Sequence, residues 1–364
     1  MPEPAQVFCQ RGDRLGARLN NLLCALQFAE TVGAEVKVNW PPSGLVLSPQ
    51  GLRADEQPHA FFDLFDEASF RQVHRHVEVT HHDLAHFEAR IAQVPFLRIG
   101  ELTSRPVGFF RDHPTRRFYY DVTHAFGFTD LDRPAAGLRP VFLKLRLSAA
   151  VRSALGKVLA ELPVKQAVAL HVRRGDVMDL LRAHDAGGDE GDDFRFAQSR
   201  HISSKYAPYE AYREYVRKVG AGGPVVVLSE DGGLKQRFRE EFGSRFLDYD
   251  CLLDGCELTS IQRDFVEFLL IFHARDSVGP FSAFGQLSAH LAGRQSRFIH
   301  AFIPTSALIR DLDAMLGRAQ ADAALYVRVL QEFAHFFRKL GDHAKAGEIV
   351  RHLQTHSRGD QAPS

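Results

Sequence analysis

QAVALHVRRGD, residues 166–176, is the stretch on which the fold turns. Its first seven residues, QAVALHV, are an apolar, β-branched run of strand length, the pattern of a strand buried on both faces in a parallel sheet. The next four place two guanidiniums, a glycine and a carboxylate directly after it. In open α/β sheets, ligands sit outside the carboxyl ends of the strands. The strand therefore predicts a layered α/β body, and its exit predicts a binding edge. A second RGD triplet stands at Arg11–Gly12–Asp13, but a cell-adhesion reading does not suit a chain expected to be cytoplasmic.

Regular alternation surrounds this strand. Ser148 reads as an N-cap, with Val151, Leu155, Val158, Leu159 and Leu162 on one apolar face and Pro163 ending the helix. After HVRRGD comes AHDAGGDEGDD, an acidic, glycine-rich run without periodicity, expected to be a mobile loop over 183–193. PYEAYREYVRKV reads as a helix, PVVVL as a strand, LKQRFREEF as a helix and RFLDYD as a strand. TSIQRDFVEFLLIFHA reads as a helix, DSVG as a short strand, SAFGQLSAHLAG as a helix and RFIHAF as a strand. Such alternation predicts a parallel, doubly wound sheet with right-handed crossovers.

The first part repeats the scheme. AQVFCQ reads as a strand, RGDRLGA as a turn, RLNNLLCALQFAETVG as a helix and AEVKVNW as a strand ending at Trp40. Over 50–135 only HVEVT reads as a strand. The tail, 309–357, reads as helix, with ALYVRVLQEFAHFFRKLGDHAKAGEIVRHLQ forming a hairpin around a Gly341–Asp342 turn. It resembles one tetratricopeptide unit, and one unit cannot bury its own face, so a brace packed on the α/β body is expected, with protein contact as the alternative. The expected division is 1–147, an N-terminal α/β domain; 148–308, a Rossmann-like domain; and 309–364, the helical tail.

Composition narrows the function. With 45 Lys plus Arg against 45 Asp plus Glu in 364 residues, the net charge is zero, which argues against nucleic acid as principal partner. The start lacks a basic segment leading into an apolar one, and no apolar run is long enough to span a bilayer. A cytoplasmic protein is expected, with peripheral membrane association left open. Cys9, Cys24, Cys251 and Cys256 read as reduced structural cysteines rather than a disulfide framework or zinc knuckle. His81, His82 and His86, in THHDLAH, lack the glutamate of a metalloprotease helix and read as a helix face carrying histidines.

Arg173 and Arg174 are the residues that carry chemistry. A guanidinium presents a rigid, always-charged fork that matches phosphate oxygens. A diphosphate ligand explains two arginines at the binding edge; a solvated turn paired with the acidic loop is the alternative. Ser282 opens the helix SAFGQLSAHL, where a hydroxyl and the first free N–H groups make an anion site, compatible with its being an ordinary N-cap. Ala283 and Phe284 follow on the phosphate side, with Gly285 permitting close approach. Gly12, Arg14 and Gly16 approach from the first half or form a helix-capping turn. Ser229 and Asp231, in LSED after the strand PVVVL, reach the same edge.

HVRRGD after an apolar strand resembles the HxRRxD-type motif of the GDP-fucose-dependent α1,2/α1,6-fucosyltransferases and their protein O-fucosyltransferase relatives. RGDRLGARLNNLLCALQFAETVGAEVKVNWP resembles their N-terminal loop, helix and strand. DFVEFLLIFHARDSVGPFSAFGQLSAHLAG resembles their last motif. The resemblance covers about 15–40 and 165–295; nothing in 50–130 or the tail carries it.

It implies a GT-B fold, two Rossmann-like halves facing a cleft, with GDP-fucose as co-substrate, a glycan or glycoconjugate hydroxyl as acceptor, inversion at the anomeric carbon and no metal or other cofactor. By resemblance, Arg173 contacts the pyrophosphate and assists its departure, Arg174 supports that site, and His171 and Asp176 orient the loop or touch the donor. Asp264 and Glu267 lie on the helix that carries an acidic donor contact in the family. Asp13, Asp176 and Glu190 are the general-base candidates, and the acidic insertion after HVRRGD departs from the family where an acceptor contact would lie. Bacterial surface-polysaccharide assembly is the expected setting. A transferase for another nucleotide sugar, or a silent scaffold that keeps the fold, are the competing readings.

Overall fold

Leu15, Leu19, Leu22, Leu23 and Leu26 recur at helical spacing, and all five are buried in the helix they predict. That helix belongs to the first of two parallel sheets in the computed structural model. The structure describes residues 4–43, 45–48, 51–54, 60–93, 95–100, 105–120, 135–182, 192–219, 222–295, 297–316 and 323–359. The chain opens with β1 (Ala5–Gln10), α1 (Leu15–Val32) and β2 (Ala34–Asn39). An antiparallel hairpin of β3 (Leu45–Ser48) and β4 (Gly51–Ala54) leads to α2 (Phe61–Leu64), α3 (Glu67–Val73) and β5 (Val77–Thr80). Next come α4 (Leu84–Ile91), β6 (Leu97–Arg98), α5 (Val107–Arg111) and β7 (Arg117–Tyr120). The first sheet has the order β5-β2-β1-β7-β6, all parallel. The expectation of a single strand over 50–135 is corrected: β4, β6 and β7 lie there too, and β7 pairs directly with β1.

Helices α6 (Ala135–Lys144) and α7 (Ala149–Glu161) join the halves, and Ser148 does cap α7 by accepting from the Val151 amide. The second run is β8 (Val168–His171), α8 (Gly175–Arg182), α9 (Asp192–Lys205), α10 (Tyr209–Val219), β9 (Val225–Leu228), α11 (Gly232–Phe242) and α12 (Asp250–Leu253). It continues through α13 (Ser260–His273), β10 (Asp276–Gly279), α14 (Ala283–Leu291) and β11 (Arg297–Phe298). Its sheet has the order β11-β10-β8-β9, again parallel.

Two expected strands are corrected. RFLDYD makes only a single bridge, Phe246 to Val225, because the chain reaches it through a one-turn 3₁₀ helix that starts at Gly243 in a positive-φ conformation. RFIHAF contributes only Arg297 and Phe298 before a 3₁₀ turn over Ile299–Phe302. The acidic run is outside the described residues from 183 to 191, and Asp192 and Asp193 already belong to α9.

The apolar run at 168–170 is buried on both faces, as its composition requires. Val168 and Leu170, with Val225 and Val227 of β9, join a core roofed by α8, α9, α10 and the tail. Ala169, Val226 and Leu228 point the other way, into a core shared with β1, β2, α1, α6, α7, α13 and α14. That second core spans both sheets without a break. The tail forms α15 (Thr305–Leu316), α16 (Ala323–Lys339) and α17 (His343–Gly359), turning at Gly341 with φ +78°. Leu325, Val329, Leu330, Phe333 and Phe337 of α16 pack into the roofed core, so the hairpin is a brace with its inner face filled.

Candidate active site

Strand order fixes where a ligand can enter. In the second sheet β8 is flanked by β9 on one side and β10 on the other, so the chain reverses between β8 and β10. Such a reversal is where an open α/β sheet holds its ligand, outside the carboxyl ends of the strands, here at His171–Arg174 and Gly279–Ser282. In the first sheet the equivalent reversal lies between β1 and β7, and Arg11–Arg14 leave β1 there. The two switch points meet. A Cβ added to Gly16, in the first turn of α1, would lie 2.4 Å from the Phe284 amide nitrogen, in the first turn of α14. Two helix N-termini thus converge across the halves, each with unpaired amides and a partial positive charge.

His171 closes this junction from β8. Its ring packs on Phe284 at 5.2 Å, and Phe284 in turn packs edge-on against Phe268 at 5.4 Å. The ring also fills the space that side chains at Gly279 and Gly285 would need, with Nδ1 3.3 and 3.1 Å from their virtual Cβ positions. Nδ1 is buried and has no hydrogen-bond partner. Burial, aided by Arg173 and Lys205, pushes the His171 pKa down to about 3. The imidazole is therefore neutral, and it can meet an anion as a hydrogen-bond donor but not as a cation. The Tyr212 hydroxyl donates to the His171 carbonyl at 3.2 Å and pins the strand end.

The two arginines divide. Arg173 is half-buried beside His171, at the crevice. Arg174 turns into the protein: its guanidinium lies over the Tyr206 ring at 4.9 Å and reaches the Ala207 carbonyl at 3.5 Å. Gly175 is the first residue of α8. The side chain of Asp176, and Glu190 altogether, lie outside the described residues. Ser282 occupies the N-cap position of α14 and is buried, but its side chain makes no capping hydrogen bond. The first-turn residues Ala283, Phe284 and Gly285 follow it.

From the first half, Gly12 and Asp13 are half-buried at the exit of β1, and Arg14 is exposed at the start of α1. The Asp13 carboxylate pairs with Arg11. Gly16 does not reach a ligand, since Phe284 occupies its open side. Ser229 and Asp231 are spent on local structure: the Ser229 hydroxyl accepts from the Asp231 amide at 3.2 Å, and Asp231 caps α11 at 2.9 Å from the Leu234 amide. On α13, Asp264 is exposed, while Glu267 is half-buried against Lys235 and Tyr249. His81 and His82 precede α4 and only His86 lies on it, which corrects the expected histidine-bearing helix face. His81 Nδ1 lies 3.0 Å from the Trp40 carbonyl, and the His82 amide donates to Asn39. Among the described residues no group of three or more His, Cys, Asp or Glu could hold a metal ion, and no helix is long and apolar enough to cross a membrane.

Two residues escaped the sequence reading. Arg18 is 2% exposed and donates to the Asp13 carbonyl at 2.6 Å, to the Pro41 carbonyl at 2.7 Å and to the Ser43 carbonyl, with Trp40 beneath it at 5.5 Å. An arginine one turn from both Leu15 and Leu22, on the face they bury, was the available signal. Lys205 ends α9, a helix whose sequence has no apolar stripe to announce it.

No family model matches the chain, and no curated protein matches its sequence. Solved structures similar to it include the fucosyltransferase NodZ from Bradyrhizobium, at 15% identity over 79% of this chain and 92% of that one, with a TM-score of 0.46. A NodZ α-1,6-fucosyltransferase soaked with GDP-fucose is similar at 15% identity, 79% and 93% coverage and a TM-score of 0.45. POFUT1 in complex with GDP-fucose is similar at 14% identity, 82% and 99% coverage and a TM-score of 0.42. Likeness at this level leaves the activity to be argued from the chain's own residues.

Proposed function

We propose that the chain is an inverting fucosyltransferase that takes fucose from GDP-fucose to a glycan or glycoconjugate hydroxyl, without a metal. The observation that carries this reading is the convergence of two helix N-termini at Gly16 and Phe284, beside His171 and Arg173. Two positive helix ends held against each other repel unless an anion lies between or beside them. A nucleoside diphosphate is such an anion, and the family-like motifs around His171, Gly16 and Ser282 select GDP-fucose among the candidates.

The reaction is one displacement. The acceptor oxygen bonds to the anomeric carbon, the electron pair of the broken C–O bond leaves on the β-phosphate, and the acceptor proton passes to a base. Arg173 and the α14 amides neutralise the departing charge, the part of the barrier that fixed dipoles lower most. Neutral His171 positions a phosphate oxygen by hydrogen bonding. Asp13 is the base candidate among the described side chains. The halves divide at 147/148, with the acceptor on the first and the donor on the second, and bacterial surface polysaccharide is the proposed acceptor class in a cytoplasmic setting.

Thermal shift with GDP, UDP and ADP, each with and without EDTA, tests the donor. GDP at 100 times its dissociation constant adds about 2.7 kcal/mol of stability, unaffected by EDTA, and Arg173→Ala abolishes the shift. A response to UDP alone overturns fucose as the sugar, and no response to any nucleotide leaves the silent-scaffold reading. Transfer of label from GDP-fucose to an acceptor panel then identifies the acceptor.

A further inference from the structure

The segment that ends α9 is tied to both walls of the crevice. On one side the Phe281 amide, in the loop before α14, donates to the Ser204 carbonyl at 3.0 Å. On the other, Arg174 lies over the Tyr206 ring and reaches the Ala207 carbonyl at 3.5 Å. One residue further back, the Ser203 carbonyl lies 2.9 Å from His300 Nε2. Lys205 is the residue between these anchors, and it is half-buried.

We propose that Lys205 is a phosphate-contacting residue of the candidate site, the second cation beside Arg173, delivered by α9 to the junction of Phe281, Ser282 and Arg173. The inference rests on the nucleoside-diphosphate reading above. Neighbours on both sides hold the backbone of Lys205, so only the lysine side chain has to be ordered when an anion binds. The charge also reaches its surroundings: Lys205 disfavours protonation of both His171 and His300. An ammonium is a compact point charge suited to phosphate oxygens, complementary to the planar fork of Arg173. A lysine in the last turn of a helix also offsets the helix dipole, and that purely structural role predicts a different outcome.

Titration calorimetry with GDP and with inorganic pyrophosphate, on wild type, Lys205→Gln, Lys205→Arg and Arg173→Ala, separates these cases. Lys205→Gln should weaken both ligands about 10- to 100-fold, the range of a charge-assisted hydrogen bond, whatever its effect on the ligand-free melting temperature. Lys205→Arg should restore most of the loss. If Lys205→Gln binds both ligands as wild type does while Arg173→Ala does not, the assignment of Lys205 is overturned and the donor reading stands. A lower melting temperature with unchanged affinity overturns it in favour of the dipole role. If wild type binds neither ligand, both readings fall together.

Discussion

Glu267 is a carboxylate placed where burial outweighs its partners. Its side chain is 17% exposed, Lys235 Nζ lies 3.9 Å away and the Tyr249 hydroxyl donates to it. Burial nevertheless pushes its pKa from 4.5 up to about 7. An acid whose folded pKa is raised binds its proton more tightly in the native state, so its contribution to stability falls as pH rises from about 4.5 to about 7. His171 and His300 act in the opposite sense, because burial lowers them from 6.5 to about 3 and about 4. Below pH 6.5 the unfolded chain takes up their protons first, and stability falls with acid. The Glu267 effect is isolated by comparison with Glu267→Gln. The stability difference between variant and wild type should shift in favour of the variant by roughly 1.4 kcal/mol per pH unit between 4.5 and 7, and then level off. Urea midpoints across that range measure it, and parallel curves for the two proteins would contradict the burial argument.

Among elements, α1 and α14 were the most legible, and their junction the least. Leucines at helical spacing announce α1 because its apolar face is buried along its whole length. Strand β8 announced itself because both of its faces are covered. RFLDYD and RFIHAF looked equally strand-like, but strand length is decided by the partner, and only one bridge and two residues found one. Lys205 and Arg18 were hidden for a related reason: their surroundings come from segments distant in sequence. The close approach of Gly16 to Phe284 is likewise invisible in a single sequence. It carries a prediction at this scale. Gly16→Ala forces a methyl into the backbone of α14 and must part the two helices. We expect a loss of about 1–3 kcal/mol by urea denaturation, the usual cost of overpacking, together with weaker GDP binding. Wild-type stability and affinity in Gly16→Ala would show that the two N-termini are not held together by this contact.

At the scale of the molecule, the question is whether two sheets make two cooperative units. Two domains joined by a small polar interface would move and unfold independently. This chain is built differently: the core that holds Val7, Val36 and α1 also holds Ala169, Val226, Phe265 and Leu287. The Gln262 side chain adds a cross-link, donating to the Asp63 carbonyl at 2.9 Å. Parting the halves would expose α13 and α14 to water along their apolar faces, at about 25 cal/mol per Å². One cooperative transition is therefore expected. The single tryptophan makes it measurable, because Trp40 is 2% exposed within the first half, whereas much of the helix signal arises from the second half and tail. Tryptophan fluorescence and far-ultraviolet circular dichroism should give superimposable urea curves with one midpoint, the signature of two-state unfolding. Fluorescence changing at a distinctly lower urea concentration would mean that the first half melts alone and that the shared core does not couple the sheets. Closure of the crevice would then come from motion between the halves, whereas a single transition places any such movement in the loops at the crevice.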